Sequence, residues 1–332
     1  MPAIALLGDV MLGRVVAERL ARASAAELWC EELRELLRGC DALVCNLECC
    51  ISERGHPTER IRGKPFFFRA PPVAVESLEA IGATIATLAN NHALDFETQA
   101  LVDTLDHLTD AGIGTCGAGL ARDQARAGQI VQAGETTVGI VACSDHPAEY
   151  AAGEREPGIA YAPLEDGVPD WLSAELRRLR ERCEQVLAFP HWGPNMTSRP
   201  ARWQPRVAEQ LLGAGATIVA GHSSHVFHGV ALEPGGPILY DLGDAIDDYR
   251  VDPKLRNDRG ICAIWRPGQT PEVELIGLRL HLAHTEIASG EDAEWLARRI
   301  ERACRKLGTT VERTAEARFS LQPNDSAQAA VV

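Results

Sequence analysis

The chain has 332 residues, of which 45% are hydrophobic and 24% charged, and it carries a formal net charge of −14 at pH 7. This composition is typical of a folded globular protein with one large domain or two. The acidic surplus argues against nucleic acid or an anionic membrane as a partner, because both require a basic face.

The ten cysteines are scattered along the chain without a CxxC pair. The sequence enters an apolar run within a few residues of Met1 and has no stretch of about 18 apolar residues, so we expect neither a signal peptide nor a membrane anchor. We therefore expect a cytoplasmic protein with reduced thiols that pack as small hydrophobic side chains. Cys49 and Cys50 lie near a polar cluster, but no activating base is identifiable and packing is favoured.

Short apolar runs that end in turn residues predict buried strands, and late alternating segments predict two more. These runs are 4–7, 42–45, 85–88, 186–189, 217–220, 238–240, 261–265 and 273–282. Apolar residues at helical spacing predict helices over 27–38, 71–81, 98–111, 171–183, 205–212 and 292–307. Alternating strands and helices predict an α/β fold in which ligands bind beyond the carboxyl ends of the strands.

Polar clusters follow six of the apolar runs, and we expect them to share one site. Asp9 follows Gly8 at the end of the first run and can face a ligand across a tight turn, although a helix N-cap explains it equally well. Arg14, one turn later, either binds an anion or lies on a helix surface. Asn46 and Glu48 follow the second run.

The third cluster, Asn91-His92 with Asp95, is the more specific one. An Asn oxygen and a His nitrogen are suitable ligands for a divalent ion. Asp95 is placed to orient His92 by accepting its second ring proton. A turn with a helix cap is the alternative interpretation.

Histidines and aspartates dominate the last three clusters. His191-Trp192 is a weak signal alone, whereas His222 and His225 beside a glycine turn can converge on one ion. Asp244, followed by Asp247 and Asp248, could hold water, a metal or a substrate amine; a solvated loop is the equal alternative.

One basic patch stands out in this acidic chain, and its cations surround three consecutive phenylalanines, Phe66 to Phe68. The cations are Arg60, Arg62, Lys64 and Arg69. Guanidinium and aromatic groups together suit a carboxylate-bearing substrate such as a peptide end. A solvated loop packed by its phenylalanines is at least as good an explanation.

Taken in order, six motifs resemble the bacterial capsule-synthesis CapA family, which includes the PgsA-type poly-γ-glutamate proteins. The motifs are Gly8-Asp9-Val10-Met11-Leu12-Gly13-Arg14, Asn46-Leu47-Glu48, Leu88-Ala89-Asn90-Asn91-His92-Ala93-Leu94-Asp95, His191-Trp192-Gly193, Gly221-His222-Ser223-Ser224-His225-Val226 and Leu239-Tyr240-Asp241-Leu242-Gly243-Asp244. The resemblance covers roughly residues 3–285 and implies a four-layer αββα sandwich, the calcineurin-like metallophosphoesterase fold. We expect a catalytic domain over 1–285, a C-terminal helix over 286–318 packed on it, and a disordered tail over 319–332.

The resemblance also implies a set of site residues. The metal positions are Asp9, Glu48, Asn91, His92, His191, His222 and His225. The acid–base residues are His92 with Asp95, and His191 or His225 with Asp9 or Asp244. Apart from the resemblance, the residues themselves predict substrate-binding positions at Arg14, Asn46, Arg62, Lys64, Arg69 and Trp192.

Three departures from the phosphoesterase pattern favour one divalent ion over two. Met11 stands where phosphoesterases have a ligand histidine, His222 and His225 are three residues apart rather than two, and Glu48 closes a motif that is Gly-Asp in phosphoesterases. The ion is Mn, Zn, Mg or Ca.

Four functions fit this site. The first is a metal-dependent enzyme that uses His/Asp acid–base chemistry on a peptide or γ-glutamyl substrate, by amide hydrolysis or a related transfer. The second, ranked narrowly below it, is epimerisation at a peptide Cα. A non-enzymatic role in capsule or poly-γ-glutamate assembly comes third, and phosphoester hydrolysis comes last because of Met11 and the histidine spacing.

Overall fold

The computed structural model describes residues 1–268 and 271–323. Its strands are β1 (Ile4–Val10), β2 (Ala42–Leu47), β3 (Cys50–Ile51), β4 (Arg69–Ala70), β5 (Ile85–Thr87), β6 (Gly114–Cys116), β7 (Ala118–Gly119), β8 (Gln129–Ala133), β9 (Thr136–Ser144), β10 (Gly158–Ile159), β11 (Gln185–His191), β12 (Ile218–Ala220), β13 (Val230–Glu233), β14 (Gly236–Leu239), β15 (Asp244–Ile246), β16 (Arg259–Arg266), β17 (Glu272–His281), β18 (His284–Ile287), β19 (Thr309–Ala315) and β20 (Arg318–Pro323). Its α-helices are α1 (Arg14–Leu20), α2 (Glu31–Arg38), α3 (Val75–Ala80), α4 (Glu97–Asp110), α5 (Arg122–Arg126), α6 (Asp170–Arg182), α7 (Gln204–Gly213) and α8 (Gly290–Arg305).

Two large sheets form the centre of the protein. The ten-stranded main sheet has the order β19-β20-β17-β16-β1-β2-β5-β6, with β15 beside β1 and β18 beside β17. The second sheet has the order β13-β14-β12-β11-β9-β8. β11 lies between the parallel strands β9 and β12, whereas β1 pairs in parallel with β2 and in the antiparallel sense with β16.

Three hydrophobic cores separate four layers. Along β1, Ala5 and Leu7 pack against the helices outside the main sheet, whereas Ile4 and Leu6 pack between the two sheets. This alternation follows from the two-residue period of a strand. A third core, which includes Leu176 of α6, fills the space outside the second sheet. The predicted αββα sandwich is therefore confirmed.

Strand register places the polar clusters side by side. Asp9 at the end of β1 lies opposite Asn46 of β2 on one side and Asp244 of β15 on the other. In the second sheet, a bridge beyond β11 pairs His191 with His222. The strand ends predicted from the sequence thus meet at one edge of both sheets.

The C-terminal region differs from the prediction. The helix α8 is shorter than the predicted 286–318 segment, and residues 319–323, predicted as disordered, form most of β20. The reason is that Phe319 and Leu321 alternate inward and are buried between the sheets, with β20 paired to β17. The rest of the predicted tail, 324–332, lies outside the described residues.

The other predicted strands and helices agree with the structure, with one exception among the helices. Residues 27–38 do not form one helix, because Trp29 turns into the core and donates its Nε1–H to Ser77 Oγ at 2.9 Å. Within the described residues, every helix is too short or too polar to cross a membrane. All ten cysteines carry free thiols, and eight of them are buried.

Candidate metal centre

Asp9 is the shared carboxylate of the site. It is fully buried and its two oxygens face different partners. Oδ1 lies 2.9 Å from His222 Nδ1 and 3.7 Å from His191 Nδ1, and it accepts a hydrogen bond from Asn46 Nδ2 at 2.8 Å. Oδ2 lies 3.9 Å from His225 Nδ1 and accepts the Ser223 N–H at 3.1 Å. The carboxylate is thus fixed with one oxygen toward each of two sets of side chains.

The two sets have the composition of metal sites. One contains Asp9, His191 and His222, and the other contains Asp9, Glu48, His225 and Asp244; within each set the ligand atoms lie within 4.8 Å of one another. Two atoms bound to one zinc ion at about 2.1 Å each can be no more than about 4.2 Å apart. The contacts between Asp9 and the histidines, at 2.9–3.9 Å, meet this limit.

Unpartnered buried atoms also fit a cation. Nε2 of both His191 and His222, Oε1 of Glu48 and Oδ2 of Asp244 are buried without a hydrogen-bond partner in the described residues. His191 Nε2 and Glu48 Oε1 lie 4.0 Å apart and face each other across the two sets. Buried polar atoms are normally satisfied, and bound cations are one means by which they are.

Electrostatics supports the same conclusion. Burial and the nearby Asp9 charge raise the pKa of Glu48 well above its usual range, and burial raises the pKa of Asp244. For Asp9, burial is outweighed by His222 and His191, which hold its pKa well below the usual value. Burial also lowers the pKa of His191 to about 3, so this ring is neutral and able to act as a ligand. Three carboxylates buried together repel one another unless positive charge lies between them, and Asp244, Glu48 and Asp9 hold the pKa of His225 well above its usual value despite its burial.

Unusual backbone angles in the loop after β12 direct its histidines toward the site. Ser223 has φ of 120° and His225 has φ of 58°, in the left-handed region that non-glycine residues rarely adopt. Gly221 precedes them because a Cβ there would lie 2.1 Å from Trp192 Nε1. Such conformations cluster at functional sites, where the surrounding structure holds them.

His92 and Asp95 form the predicted pair. His92 Nδ1 lies 2.5 Å from Asp95 Oδ2, and the His92 side chain is only 7% exposed. Burial, partly offset by Asp95, lowers the pKa of His92 to about 4, so the ring is neutral near pH 7. A carboxylate partner places the ring proton on Nδ1 and leaves Nε2 as an acceptor.

Asp95 is held by more contacts than the sequence indicates. Lys64 Nζ lies 3.1 Å from Asp95 Oδ1, the Tyr150 hydroxyl donates to the same oxygen at 3.1 Å, and the Phe68 N–H donates to Oδ2 at 2.7 Å. Lys64 also donates to the Asn91 carbonyl oxygen at 2.7 Å. Lys64 is therefore a positioning residue, which corrects its predicted role in substrate binding.

An aromatic wall connects the His92 pair to the metal ligands. The Phe68 ring stacks on His92 with 3.9 Å between centroids and lies 5.7 Å from the Tyr249 ring. Tyr249 packs edge-on against His225 and donates its hydroxyl hydrogen bond to Glu48 Oε2 at 3.2 Å. All the predicted acid–base and metal residues thus belong to one region, rather than to separate ones.

Three further substrate-binding predictions need correction. Trp192 is fully buried in the outer core of the second sheet, and Asn46 is fully buried and orients Asp9. Arg69 donates to the carbonyl oxygens of Arg54 and Gly55 and lies over the Phe96 ring at 4.2 Å, so it fixes a loop. None of these three side chains is free to contact a substrate.

Two of the predicted substrate-binding cations remain accessible. Arg62 is exposed, and the Arg14 side chain is 36% exposed. Arg14 pairs with Asp248 at 2.9 Å and lies over the rings of Phe66 and Phe68. Asn91 Oδ1 is buried without a partner in the described residues, which fits its predicted role as a metal ligand.

The sequence analysis missed the pair Asp145 and His146, which lies beside the site. The His146 ring is 5.3 Å from the His191 ring and contacts Asp145 through Nδ1, while Asp145 Oδ2 accepts the Gly193 N–H at 2.8 Å. The signal was present, because Asp145 directly follows β9 just as Asp9 follows its apolar run. Tyr249, in contrast, has no local signal.

A family comparison places this geometry in context. The model of the family described as bacterial capsule synthesis protein PGA_cap matches residues 3–249. The chain belongs to this family. Every member of the two ligand sets and the His92 pair lies within the matched range, so the resemblance expected from the six motifs is confirmed.

Individual relatives share a minority of their residues with this chain. A Mycobacterium tuberculosis protein, named as a probable polyglutamine synthesis accessory protein, is 32% identical over 285 residues, which cover 82% of this chain and 74% of that protein. The PGA biosynthesis protein CapA of Bacillus subtilis is 25% identical over 244 residues, covering 73% of this chain and 62% of CapA.

Solved structures align with this chain at low sequence identity. A hypothetical protein from Thermus thermophilus aligns with a TM-score of 0.46 and 15% identity, covering 85% of this chain and 95% of that chain. The NAD nucleotidase of Haemophilus influenzae aligns with a TM-score of 0.40 and 12% identity, covering 86% of this chain and 49% of that chain.

The corrected role of Trp192 gives a stability prediction. Trp192→Ala is expected to lower the free energy of unfolding by about 3–5 kcal/mol, because it empties a core site and leaves the Tyr240 carbonyl oxygen without its 2.9 Å hydrogen bond. Denaturant unfolding measures this loss. Trp171→Ala is the control, since Trp171 is only half-buried and should cost less. Unchanged stability with weaker substrate binding would restore the original assignment.

Proposed function

We propose that this protein is a metal-dependent hydrolase that uses two divalent cations to cleave an amide in a γ-glutamyl or related carboxylate-bearing substrate. The observation that carries the proposal is the Asp9 carboxylate, whose oxygens face two complete ligand sets. The sequence favoured a single ion; the proposal takes two because Glu48 and Asp244 lie with His225 and Asp9 in a second candidate set. Divalent ions bound there would polarise the scissile carbonyl and activate a water molecule.

The protein's own residues supply proton transfer. His92 is neutral and presents Nε2 as an acceptor, and Asp95 holds its Nδ1–H. Lys64 and Tyr150 keep Asp95 from turning toward the metal ligands. A base of this kind accepts a proton from the attacking water and returns it to the leaving amine.

The substrate class rests on charge and on the family. Arg14 lies over the Phe68 ring that stacks on His92 and keeps part of its guanidinium exposed, and Arg62 is exposed on the same loop as Lys64; guanidinium groups suit bidentate binding of a carboxylate. The exposed Phe66 ring beside Arg14 provides an apolar surface for the aliphatic part of a glutamyl chain. The names of the relatives associate those proteins with polyglutamine and PGA synthesis, and a glutamyl chain has the carboxylates that these cations would bind.

Metal removal tests the proposal. Purified protein is expected to contain about two divalent ions per chain, and dialysis against a chelator should reduce cleavage of a γ-linked glutamate oligomer by about 1000-fold or more. Elemental analysis and detection of the released amine measure the two effects, and adding back Zn²⁺, Mn²⁺, Mg²⁺ or Ca²⁺ separately identifies the ion.

Three outcomes would contradict it. Full activity after chelation would remove the metal from the mechanism. Deuterium incorporation from solvent into uncleaved peptide would indicate Cα proton transfer instead of hydrolysis. Faster turnover of a chromogenic phosphate ester than of the oligomer would indicate phosphoester chemistry.

A further inference from the structure

A strongly basic groove lies between the loop 194–202 and α8. A cavity of about 330 Å³ is lined by five cationic side chains from these two elements: Arg199, Arg202, Arg299, Arg302 and Lys306. A second cavity of about 540 Å³ shares the lining segment 198–202 and extends toward Pro194 and Leu255. The two cavities share the wall formed by residues 198–202, and we call them together the basic groove.

The cations of the basic groove have no acidic partner within ion-pair distance among the described residues. Three of the four carboxylates of α8 are paired elsewhere: Asp292 with Arg259, Glu294 with Arg313, and Glu301 with Arg305. In a chain with a net charge of −14, five unpaired cations at one place are a marked departure from the average surface.

Helix stability accounts for only part of this arrangement. Arg302 and Lys306 favour the helix by lying near its C-terminus, where cations interact well with the macrodipole. Arg299 lies one turn before Arg302, and the two positive charges repel each other. A like-charge pair at this spacing lowers the stability of a helix by about a few tenths of a kcal/mol. Arg199 and Arg202 come from a separate loop and face the same cavity without helix contacts of this kind.

Arg299 is held rigidly in the groove. Its guanidinium lies 5.3 Å from the Phe227 ring centroid and 5.8 Å from the Trp295 ring centroid, and the side chain is half-buried. An arginine fixed between two aromatic rings loses little conformational entropy when it binds an anion.

The loop that carries Arg199 also contacts the metal centre. It begins directly after the segment 191–193, and the Met196 N–H donates to the Ser224 carbonyl oxygen at 2.9 Å, next to His225. Thr197 Oγ1 lies 3.3 Å from His228 Nε2. One loop therefore forms a wall of the basic groove and a support of the histidine loop.

We propose that the basic groove binds a linear polycarboxylate, a γ-linked glutamate chain, beside the metal centre. Its two adjoining cavities, of about 330 and 540 Å³, and its cations on two elements suit a chain with repeated charges better than a single small anion, and guanidinium groups match carboxylates in bidentate pairs. The identity of the chain rests on the proposed function; the existence of the anion site does not.

Binding of a fluorescent γ-linked glutamate decamer, followed by anisotropy at low and moderate salt, tests the groove. Arg199→Glu combined with Arg302→Glu is expected to raise Kd about tenfold or more, and salt should weaken binding to the native protein. Arg298→Glu combined with Arg177→Glu is the charge-matched control, since both are exposed and neither lines the groove. Arg199→Gln with Arg302→Gln should show a smaller loss in the same direction, and circular dichroism verifies folding.

The inference is overturned if the groove variants bind the decamer as tightly as the native protein, or if a polyphosphate of equal length binds in the groove and the decamer does not. Asp9→Asn separates the two proposals, because it should retain decamer binding while losing metal. Groove-dependent binding without any cleavage would contradict the hydrolase alone, and cleavage without groove-dependent binding would contradict the groove alone.

Discussion

Asp9→Asn is expected to remove most of the bound metal and to reduce amide cleavage by about 1000-fold or more. The substitution keeps the shape of the side chain but removes the negative charge that both ligand sets share. An amide also offers only one oxygen, so the second set loses a ligand atom that lies 3.9 Å from His225 Nδ1. Elemental analysis and single-turnover kinetics measure the two losses.

Asp106→Asn is the matched control for this variant. It makes the same change from a carboxylate to an amide, but at an exposed position on α4 outside the site. It should retain both metal and activity. An Asp9→Asn protein that holds about two ions per chain would show that the carboxylate does not bridge the sets, and the two-ion proposal would have to be abandoned.

His92→Asn is expected to lower kcat by about 10²–10⁴-fold while leaving the metal content unchanged, because His92 lies outside both ligand sets. Asp95→Asn should produce a large part of the same loss by removing the acceptor that fixes Nδ1–H. The two substitutions combined should cost little more than His92→Asn alone, since the pair acts as a unit.

His281→Asn serves as the control, because His281 is exposed and pairs only with Glu286 at the surface. Loss of metal in His92→Asn would reassign His92 as a ligand. Losses that simply add in the double variant would show that Asp95 acts independently of the imidazole.

The layered fold could be predicted because strand and helix periods are local properties. Runs such as 4–7 and 186–189 are buried on both faces, and turn residues mark their ends. Register could not be predicted, since it depends on which strands become neighbours. The placement of Asp244 opposite Asp9 requires β15 to pair with β1 from the far end of the chain, and no local pattern indicates this.

The errors at the site have a common physical origin. Successive residues of an extended chain point to opposite sides, so His191 faces the site while Trp192 enters the outer core. The sequence shows that both residues follow a strand, but not which of them faces the site and which of them faces the core. The same ambiguity affected Arg69, next to Phe68, whose ring stacks on His92.

The candidate metal centre would draw its ligands from both sheets of the sandwich. Asp9, Glu48 and Asp244 come from the main sheet, and His191, His222 and His225 come from the second. A cation held between them would therefore act as a non-covalent cross-link. Because it would bind the folded protein and not the separated sheets, its binding free energy would add to the free energy of unfolding. Starvation for the metal would then threaten the integrity of the protein as well as its chemistry, which couples its lifetime in the cell to the supply of that ion.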